Sequence, residues 1–184
     1  MRKTLTTLHL ALAGFFFPVA VMFALTGGLY TLAIKGGYAD TSRQVTLDAP
    51  LAAELGALVA LVERELATAG EPLPSGGASL KKAGTSFELE WTGVDRDVIL
   101  RPTADPLQAE LLVKDTGPWR HLVQLHKAKG SAVAKAISVA WAVGLVAILA
   151  SGLAIALVSP PFRRLALGSA AAGVATFVGY VLLG

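Results

Sequence analysis

Three long runs without a charged residue constrain this chain more than any other feature. They extend from Leu10 to Ile34, from Ala136 to Ser159 and from Leu165 to Gly184. A helix needs about 20 apolar residues to cross a hydrocarbon core of about 30 Å, so each run is long enough. A chain with 54% hydrophobic residues and a mean hydropathy of +0.60 is also unlike an ordinary soluble protein. The sequence predicts three transmembrane helices in contact with the lipid bilayer.

The first run, within residues 1–35, has two interpretations. Arg2 and Lys3 resemble the basic start of a cleaved signal peptide. However, the run is longer than the roughly 7–15 apolar residues of a signal peptide, and no A-x-A cleavage site follows it. An uncleaved first transmembrane helix is therefore favoured.

Residues 36–118 have the composition of one small extramembrane domain. All 13 acidic residues lie between Asp40 and Asp115, and seven of the 16 basic residues share that window. The formal net charge of +3 therefore averages an acidic domain with purely basic flanks. Nucleic-acid binding needs a basic face on a folded domain, so this charge does not indicate it and no nucleic acid is expected as a partner.

The domain is predicted to begin with an amphipathic helix. Leucine and valine recur at spacings of three and four over residues 51–70, with charged residues between them. Asp48 is the predicted cap, and Pro50 suits the first turn of the helix. Gly70 is predicted to lie at its end.

A small antiparallel sheet is predicted after the helix. Residues 86–93 alternate apolar and acidic side chains, and residues 97–102 follow after a short polar connection, which is typical of a β-hairpin. A third strand is predicted at Ala109–Lys114. The fold class is therefore a three-helix membrane protein with a small α+β domain inserted between helices 1 and 2.

The chain returns to the membrane after Pro118. Residues 119–135 begin with a tryptophan and carry four basic side chains, so they are predicted to form a basic helix in the headgroup layer. Residues 136–184 are predicted to form a transmembrane helical hairpin. Matched stripes of small residues predict close packing of its two helices; they are Ala140, Gly144, Ala147 and Ser151, and Gly168, Ala172, Ala175 and Gly179.

The three histidines are the only strong transition-metal ligands, because the chain has no cysteine. In a three-span topology, His9 and His126 belong to opposite membrane faces, so one chain cannot place both on one iron. His121 and His126 are five residues apart, and their side chains diverge on a helix. A haem b between two histidines would need a second chain. Alternatively, these are interfacial polar residues, or His126 bonds to a carboxylate of the domain.

No other catalytic constellation is evident in the sequence. Glu88 with Glu90, and Asp95 with Asp97, have the spacing that places two carboxylates on one face of a strand. No other reactive residue type lies between them, so we interpret both pairs as a solvated sheet face. No metal ligand set is assigned.

Several short motifs resemble the PepSY-associated transmembrane family. They are Leu8-His9 at the start of the first helix, Thr26-Gly27 near its end, the run from Leu125 to Gly130, and Ser151 to Leu153. The resemblance covers roughly the first 30 and the last 65 residues, and the central domain is similar only in its order of helix and sheet. The chain looks like a short, single-unit member.

The resemblance implies a bacterial inner-membrane location with the PepSY-like domain in the periplasm. It also implies that His9 and His126, which match the family's Leu-His elements, are candidate ligands of haem b in electron transfer or iron reduction. Larger members include reductases of iron-siderophore complexes. A complete two-haem relay needs four ligands, which this chain lacks.

We therefore expect an accessory or assembly subunit of a redox or iron-handling membrane system, with no chemistry of its own. Its partners would be other membrane subunits or further copies of itself. One alternative is a homo-oligomeric b-haem electron carrier or ferric reductase. Another is a peptide-binding or protease-regulating membrane module.

Orientation follows from the first helix rather than from counting charges. Basic residues flank both sides of the membrane, and counting alone favours a cytoplasmic domain. The first helix usually dominates, and a long domain is translocated largely regardless of its charge. We therefore predict a cytoplasmic N-terminus and a periplasmic domain.

An alkaline phosphatase fused after Gly184 tests this topology, because three spans place the two termini on opposite sides. We expect phosphatase activity, which requires export, from this fusion. The matched control is a fusion after Ser159, which retains two spans and should be inactive. An inactive full-length fusion with an active shorter one would reverse the assignment.

Overall fold

The structure is a computed structural model that describes residues 2–84 and 86–183. It divides into two compact units. One contains residues up to Ala20 together with those from Ala140 onward, and the other contains Val21–Val139. In chain order, the elements are α1 (Arg2–Thr31), β1 (Tyr38–Thr46), α2 (Leu55–Ala69), β2 (Ala78–Ala83), β3 (Ser86–Trp91), β4 (Arg96–Pro102), β5 (Gln108–Thr116), α3 (Pro118–His126), α4 (Ala132–Leu157) and α5 (Pro160–Leu183).

Three helices are long and apolar enough to cross a membrane, which agrees with the three predicted spans. They are Lys3–Thr31 within α1, Ala132–Leu157 and Pro160–Leu183. Neither α4 nor α5 contains a buried residue. Lipid tails are as apolar as these side chains, so such helices can leave them exposed to hydrocarbon. The three helices are compatible with a multi-pass membrane protein.

The five strands form one antiparallel sheet with the order β1-β5-β4-β3-β2. Helix α2 packs on one face and buries Leu58, Val62 and Leu66. Alternate strand positions complete this core, because successive side chains point to opposite faces of a sheet. They include Leu89, Trp91, Val98, Leu100, Leu111 and Val113. A small α+β domain therefore lies between the first two apolar helices in sequence, as predicted.

The predictions of β3, β4 and β5 are confirmed. Strands β1 and β2 were not predicted from the sequence. The two strands that were not predicted lie at the edges of the sheet. Only Val45 is buried in β1, and none of the described side chains of β2 is buried. Because an edge strand can remain largely polar, the sequence alternation that identifies a strand is weak there.

The predicted start of α2 is wrong by about one turn. The helix begins at Leu55 after Glu54, which has an extended backbone and makes no capping bond with its side chain. Asp48 and Pro50 lie outside the helix, although Leu51 still packs against the core. The helical spacing of apolar residues in the sequence therefore begins about one turn before the helix does. Gly70 ends the helix as predicted, with a left-handed φ of 68°.

The predicted basic helix over residues 119–135 is two elements in the structure. Helix α3 ends at His126, and Ala128 then adopts a left-handed φ of 52°. Ser131 starts the next helix, since its Oγ accepts a bond from the amide of Ala134. Helix α3 also buries Val123 and Gln124, so it packs against protein rather than lying only among headgroups.

The predicted contact between the two small-residue stripes is not present in the described residues. Two residues of the α4 stripe face α1 instead: a side chain at Gly144 would overlap the ring of Phe16, and Ser151 contacts His9. On α5, positions Gly168 and Gly179 have no atom within 4 Å of an added Cβ. The Phe16 ring packs directly against position 144 of α4, and only a glycine leaves enough space for it there.

The α2 core supports a mutational test of the domain. We expect Leu66→Ala, at a position with 0% exposure, to lower the free energy of unfolding by about 2–5 kcal/mol through the cavity it leaves. The matched control is Leu55→Ala on the same helix, where 41% exposure predicts a change within about 0.5 kcal/mol. Urea unfolding of the detergent-solubilised chain, followed by tryptophan fluorescence, measures both. Equal losses would contradict the assigned core.

Candidate functional site

His9 on α1 contacts a hydroxyl on a neighbouring helix. Its Nδ1 lies 2.9 Å from Oγ of Ser151 on α4, and this hydroxyl lies 3.0 Å from the carbonyl oxygen of Ile148. Gly152 follows Ser151, and a Cβ there would lie 3.1 Å from Cε1 of His9. The glycine therefore allows the imidazole to approach the backbone of α4 closely.

His126, the last residue of α3, repeats this arrangement against α1. Its Nδ1 lies 2.6 Å from Oγ1 of Thr26, which lies 2.6 Å from the carbonyl oxygen of Met22. Gly27 follows Thr26, and a Cβ there would lie 3.3 Å from Cε1 of His126. Thr26 is buried at 1% exposure, so the contact is enclosed. Each of the two histidines thus contacts a dipeptide of a hydroxyl residue and a glycine.

The hydroxyl contacts define which ring nitrogen of His126 carries the hydrogen. A hydroxyl has one proton, and Thr26 Oγ1 contacts both a carbonyl oxygen and a ring nitrogen. Two oxygens 2.6 Å apart repel unless a proton lies between them, so the hydroxyl donates to Met22. Nδ1 of His126 must then donate to the hydroxyl, and in the neutral imidazole the lone pair is on Nε2. Ser151 Oγ lies 3.0 Å from the carbonyl oxygen of Ile148 and 2.9 Å from Nδ1 of His9, and these distances allow the same assignment.

This tautomer is the one that suits a metal ligand. Histidines that bind metals generally donate a hydrogen bond from one ring nitrogen to an oxygen and bind with the other. His9 and His126, the two predicted haem ligands, both have this arrangement. The donor chemistry of each single side chain therefore fits an axial ligand.

The space around His126 does not fit a haem within one chain. The cavity there has a volume of about 180 Å³, whereas pockets for ligands of drug size occupy roughly 300–1,000 Å³. It is lined by Thr26, Gly27, Tyr30, Val123, His126 and Lys127. Among the described residues, no group of three or more histidine, cysteine, aspartate or glutamate side chains is placed to hold a metal ion.

The structure assigns the three histidines to three different partners. His9 belongs to the first compact unit, whereas His126 belongs to the second, and each has its own hydroxyl. His121 lies 2.8 Å from the carboxylate of Asp95. The alternative in which His126 bonds to a domain carboxylate is therefore wrong. The five-residue spacing on α3 points the two side chains in different directions, and His121 faces the domain.

Asp97 on β4 is the centre of a buried polar network that the sequence does not reveal. Its carboxylate, at 5% exposure, accepts bonds from Tyr38 Oη at 2.8 Å, Gln124 Nε2 at 3.1 Å and the amide of Gly93 at 3.0 Å. Lys129 Nζ lies 3.5 Å away. We call these five residues the Asp97 network. The interpretation of Asp97 as part of a solvated face is wrong, because α3 covers that position of the sheet.

Tyr38 connects the Asp97 network to a cation on α3. Arg120 donates to Tyr38 Oη at 2.7 Å, and its guanidinium lies 4.5 Å from the centre of the Tyr38 ring. Burial, followed by the hydrogen bond to Asp97, raises the pKa of Tyr38 above its usual value, and Arg120 opposes this shift. The phenol therefore remains a hydrogen-bond donor to Asp97 at neutral pH.

The same helix, α3, binds α1 and the segment that follows it. Trp119 Nε1 donates to the carbonyl oxygen of Ile34 at 3.1 Å, and His126 contacts Thr26. Gly36 permits the close approach, because it has a φ of 71° and its added Cβ would lie 2.6 Å from the amide nitrogen of Arg120. Helix α3 thus contacts the sheet through one set of side chains and α1 through another.

The partners of these residues lie far from them in the sequence, so they could not be predicted from it. Tyr38, Gln124, Thr26 and Ser151 bond across 27 to 142 positions of the chain, and no local pattern encodes such pairs. The available signal was the repeated dipeptide of a hydroxyl residue and a glycine inside two apolar runs. Small and hydroxyl residues are the types that join helices in membranes.

No protein-family model matches this chain, and neither a curated protein nor a solved structure matches it. The resemblance to the PepSY-associated transmembrane family therefore stays a prediction from short motifs.

The Asp97 network can be tested by removing its acceptor. Asp97→Ala leaves the donors of Tyr38 and Gln124 and the charge of Lys129 without a buried partner, so we expect a loss of about 3–5 kcal/mol in the free energy of unfolding. The matched control is Asp95→Ala, because this neighbouring carboxylate is 77% exposed and its pair contributes at most about 1 kcal/mol. Urea unfolding followed by tryptophan fluorescence measures both.

The same variant changes the titration of Tyr38. The raised pKa means that folding favours the protonated phenol, so this contribution to stability is present below about pH 10 and is lost as the pH rises through the raised pKa. Asp97→Ala should lower the pKa of Tyr38, as measured by the ultraviolet absorbance of tyrosinate. An unchanged titration curve would contradict the hydrogen bond.

Proposed function

We propose that this protein is an accessory or assembly subunit of a redox or iron-handling system in a bacterial inner membrane, with its domain in the periplasm. The observation that carries the subunit role is the double attachment of α3. This helix bonds to the sheet through Gln124 and to α1 through His126, so the domain is held firmly at the end of a membrane helix.

The use of the polar groups also supports a structural role for the domain. The carboxylate of Asp97 accepts hydrogen bonds from three donors, and Arg96 contacts both Glu71 and Asp115. These buried and half-buried charges hold elements of the domain together. A rigid domain on a membrane anchor suits a subunit that positions or assembles a partner.

The redox and iron-handling part of the proposal rests on sequence motifs. The motifs Leu8-His9, Thr26-Gly27, Leu125 to Gly130 and Ser151 to Leu153 resemble the PepSY-associated transmembrane family. In the structure, these motifs contain both partners of the His9 contact and both partners of the His126 contact. The resembling residues are therefore the ones that join the helices.

A second candidate is a homo-oligomeric b-haem electron carrier or ferric reductase. The observation that favours it is the free Nε2 lone pair of His9 and of His126, with Nδ1 of each bonded to a hydroxyl. Another copy of the chain would supply the second ligand and the space that a single chain lacks. A haem bound there would supply one-electron transfer.

A visible absorption spectrum separates the two functions. For a subunit without its own haem, we expect no Soret band from the purified full-length chain, expressed in haem-sufficient cells and solubilised in detergent. His126→Ala should then only lower stability, by about 0.6–1.7 kcal/mol for one lost bond between helices. The matched control is His121→Ala on the same helix. A Soret band that His126→Ala abolishes and His121→Ala retains would establish the second candidate instead.

The subunit role has a separate test. A tagged chain extracted from its native membrane in mild detergent should migrate on a native gel in a complex larger than itself. Iron analysis of that band should detect iron or haem that the separately purified chain lacks. Migration as an isolated chain, under conditions that preserve other membrane complexes, would reject the proposal.

A further inference from the structure

A second cavity lies at the turn between α4 and α5, within the first compact unit. Its volume is about 590 Å³, which is in the range of ligand-binding pockets. It is lined by Leu157, Val158 and Pro160 on the apolar side and by Arg163 and Arg164 on the polar side. An apolar wall next to two guanidinium groups is suited to a ligand that is both anionic and amphipathic.

The guanidinium groups of the two arginines have no partner in the part of the chain that the structure describes. Neither guanidinium forms a hydrogen bond or an ion pair there, whereas those of Arg43, Arg96 and Arg101 in the domain are all paired with carboxylates. Outside residues 40–115 the sequence contains no aspartate or glutamate. The first compact unit therefore has no acidic side chain to neutralise these arginines.

The packing of α1 on α4 brings a further cation to the same end of the helices. Gly144 faces Phe16 and Gly152 faces His9, so positions rise along α4 as they fall along α1 and the helices are antiparallel. Continuing this register by about 1.5 Å per residue places Lys3 at the level of the α4–α5 turn. Three basic residues thus lie near one end of the apolar helices.

This end of the helices is at headgroup depth if they span a bilayer. The cavity begins at Leu157, the last residue of a 26-residue apolar helix, and continues to Arg163 and Arg164 in the first turns of α5. The guanidinium group binds phosphate oxygens through two parallel hydrogen bonds. Basic pockets between membrane helices bind anionic lipid headgroups by this chemistry.

We propose that the cavity at the α4–α5 turn binds the phosphate headgroup of an anionic phospholipid. Arg163 and Arg164 bind the phosphate, while Leu157, Val158 and Pro160 contact the glycerol and the first part of an acyl chain. The ligand chemistry is a phosphate group, and the apolar wall selects a lipid over a free phosphate. This site is separate from both histidine contacts and does not depend on the proposed subunit role.

Native mass spectrometry of the full-length chain in a neutral detergent tests the site. The added probes are phosphatidylglycerol, zwitterionic phosphatidylcholine with the same acyl chains, and inorganic phosphate. We expect one phosphatidylglycerol to bind more tightly than the others, and each arginine replaced by glutamine to weaken it roughly fivefold. The double variant R163Q/R164Q should therefore bind it about 25-fold more weakly than the native chain.

The matched control is K35Q/K135Q, which removes two exposed basic charges outside the cavity. It should bind phosphatidylglycerol as the native chain does. R163K/R164K keeps the charges and loses the two-pronged geometry, so an intermediate affinity supports the site even if the glutamine variant does not fold. Far-ultraviolet circular dichroism verifies the helix content of each variant.

Three outcomes would overturn the proposal. Equal affinity of the native chain and a folded R163Q/R164Q for phosphatidylglycerol would show that the arginines do not bind it. An equal loss of phosphatidylglycerol affinity in K35Q/K135Q would show that the effect depends only on the net charge of the protein. Inorganic phosphate that binds as tightly as phosphatidylglycerol would identify a free phosphate as the ligand.

Discussion

A carboxylate removed from water must receive hydrogen bonds, and the arrangement of the second compact unit follows from how Asp97 obtains them. Isolated in an apolar interior, this charge would cost several kcal/mol. Its donors come from β1, from the loop before β4 and from α3, which are distant in sequence. The hydrogen bonds to this one side chain therefore fix where β1, β4 and α3 meet. A hydrophobic contact between the same elements would tolerate small rotations that these directional bonds do not.

Helix α3 transfers that constraint to the end of α1. Gln124 bonds to the sheet and His126, two residues later, contacts Thr26. Since Gly36 adopts a left-handed conformation against Arg120, the chain leaves α1 and enters β1 along a path that α3 also contacts. The α+β domain is thus attached to α1 by bonds on both sides of one nine-residue helix. Any partner that contacts the domain therefore acts on an element bonded to α1.

The sequence predicts best where one physical effect dominates. Long uncharged runs specify the three apolar helices, and strict alternation specifies β3, because burial on one face produces a periodic pattern of apolar residues. Edge strand β1 buries only Val45, so its sequence shows no such periodic pattern. The candidate site was predictable only in part: His9 and His126 stand out as residue types, whereas Thr26, Ser151 and Gln124 matter through contacts that only the folded chain creates.

The two histidine contacts do more than a bond between helices requires. A buried amide side chain would donate to Ser151 or Thr26 equally well, and such a bond contributes only about 0.6–1.7 kcal/mol between membrane helices. Imidazole adds a second nitrogen, and the hydroxyl contacts hold its lone pair free on Nε2. The same dipeptide of a hydroxyl residue and a glycine contacts the ring of His9 on α4 and that of His126 on α1. A purely structural contact does not require Nε2, so the proposed ligand role of these residues would rest on this nitrogen.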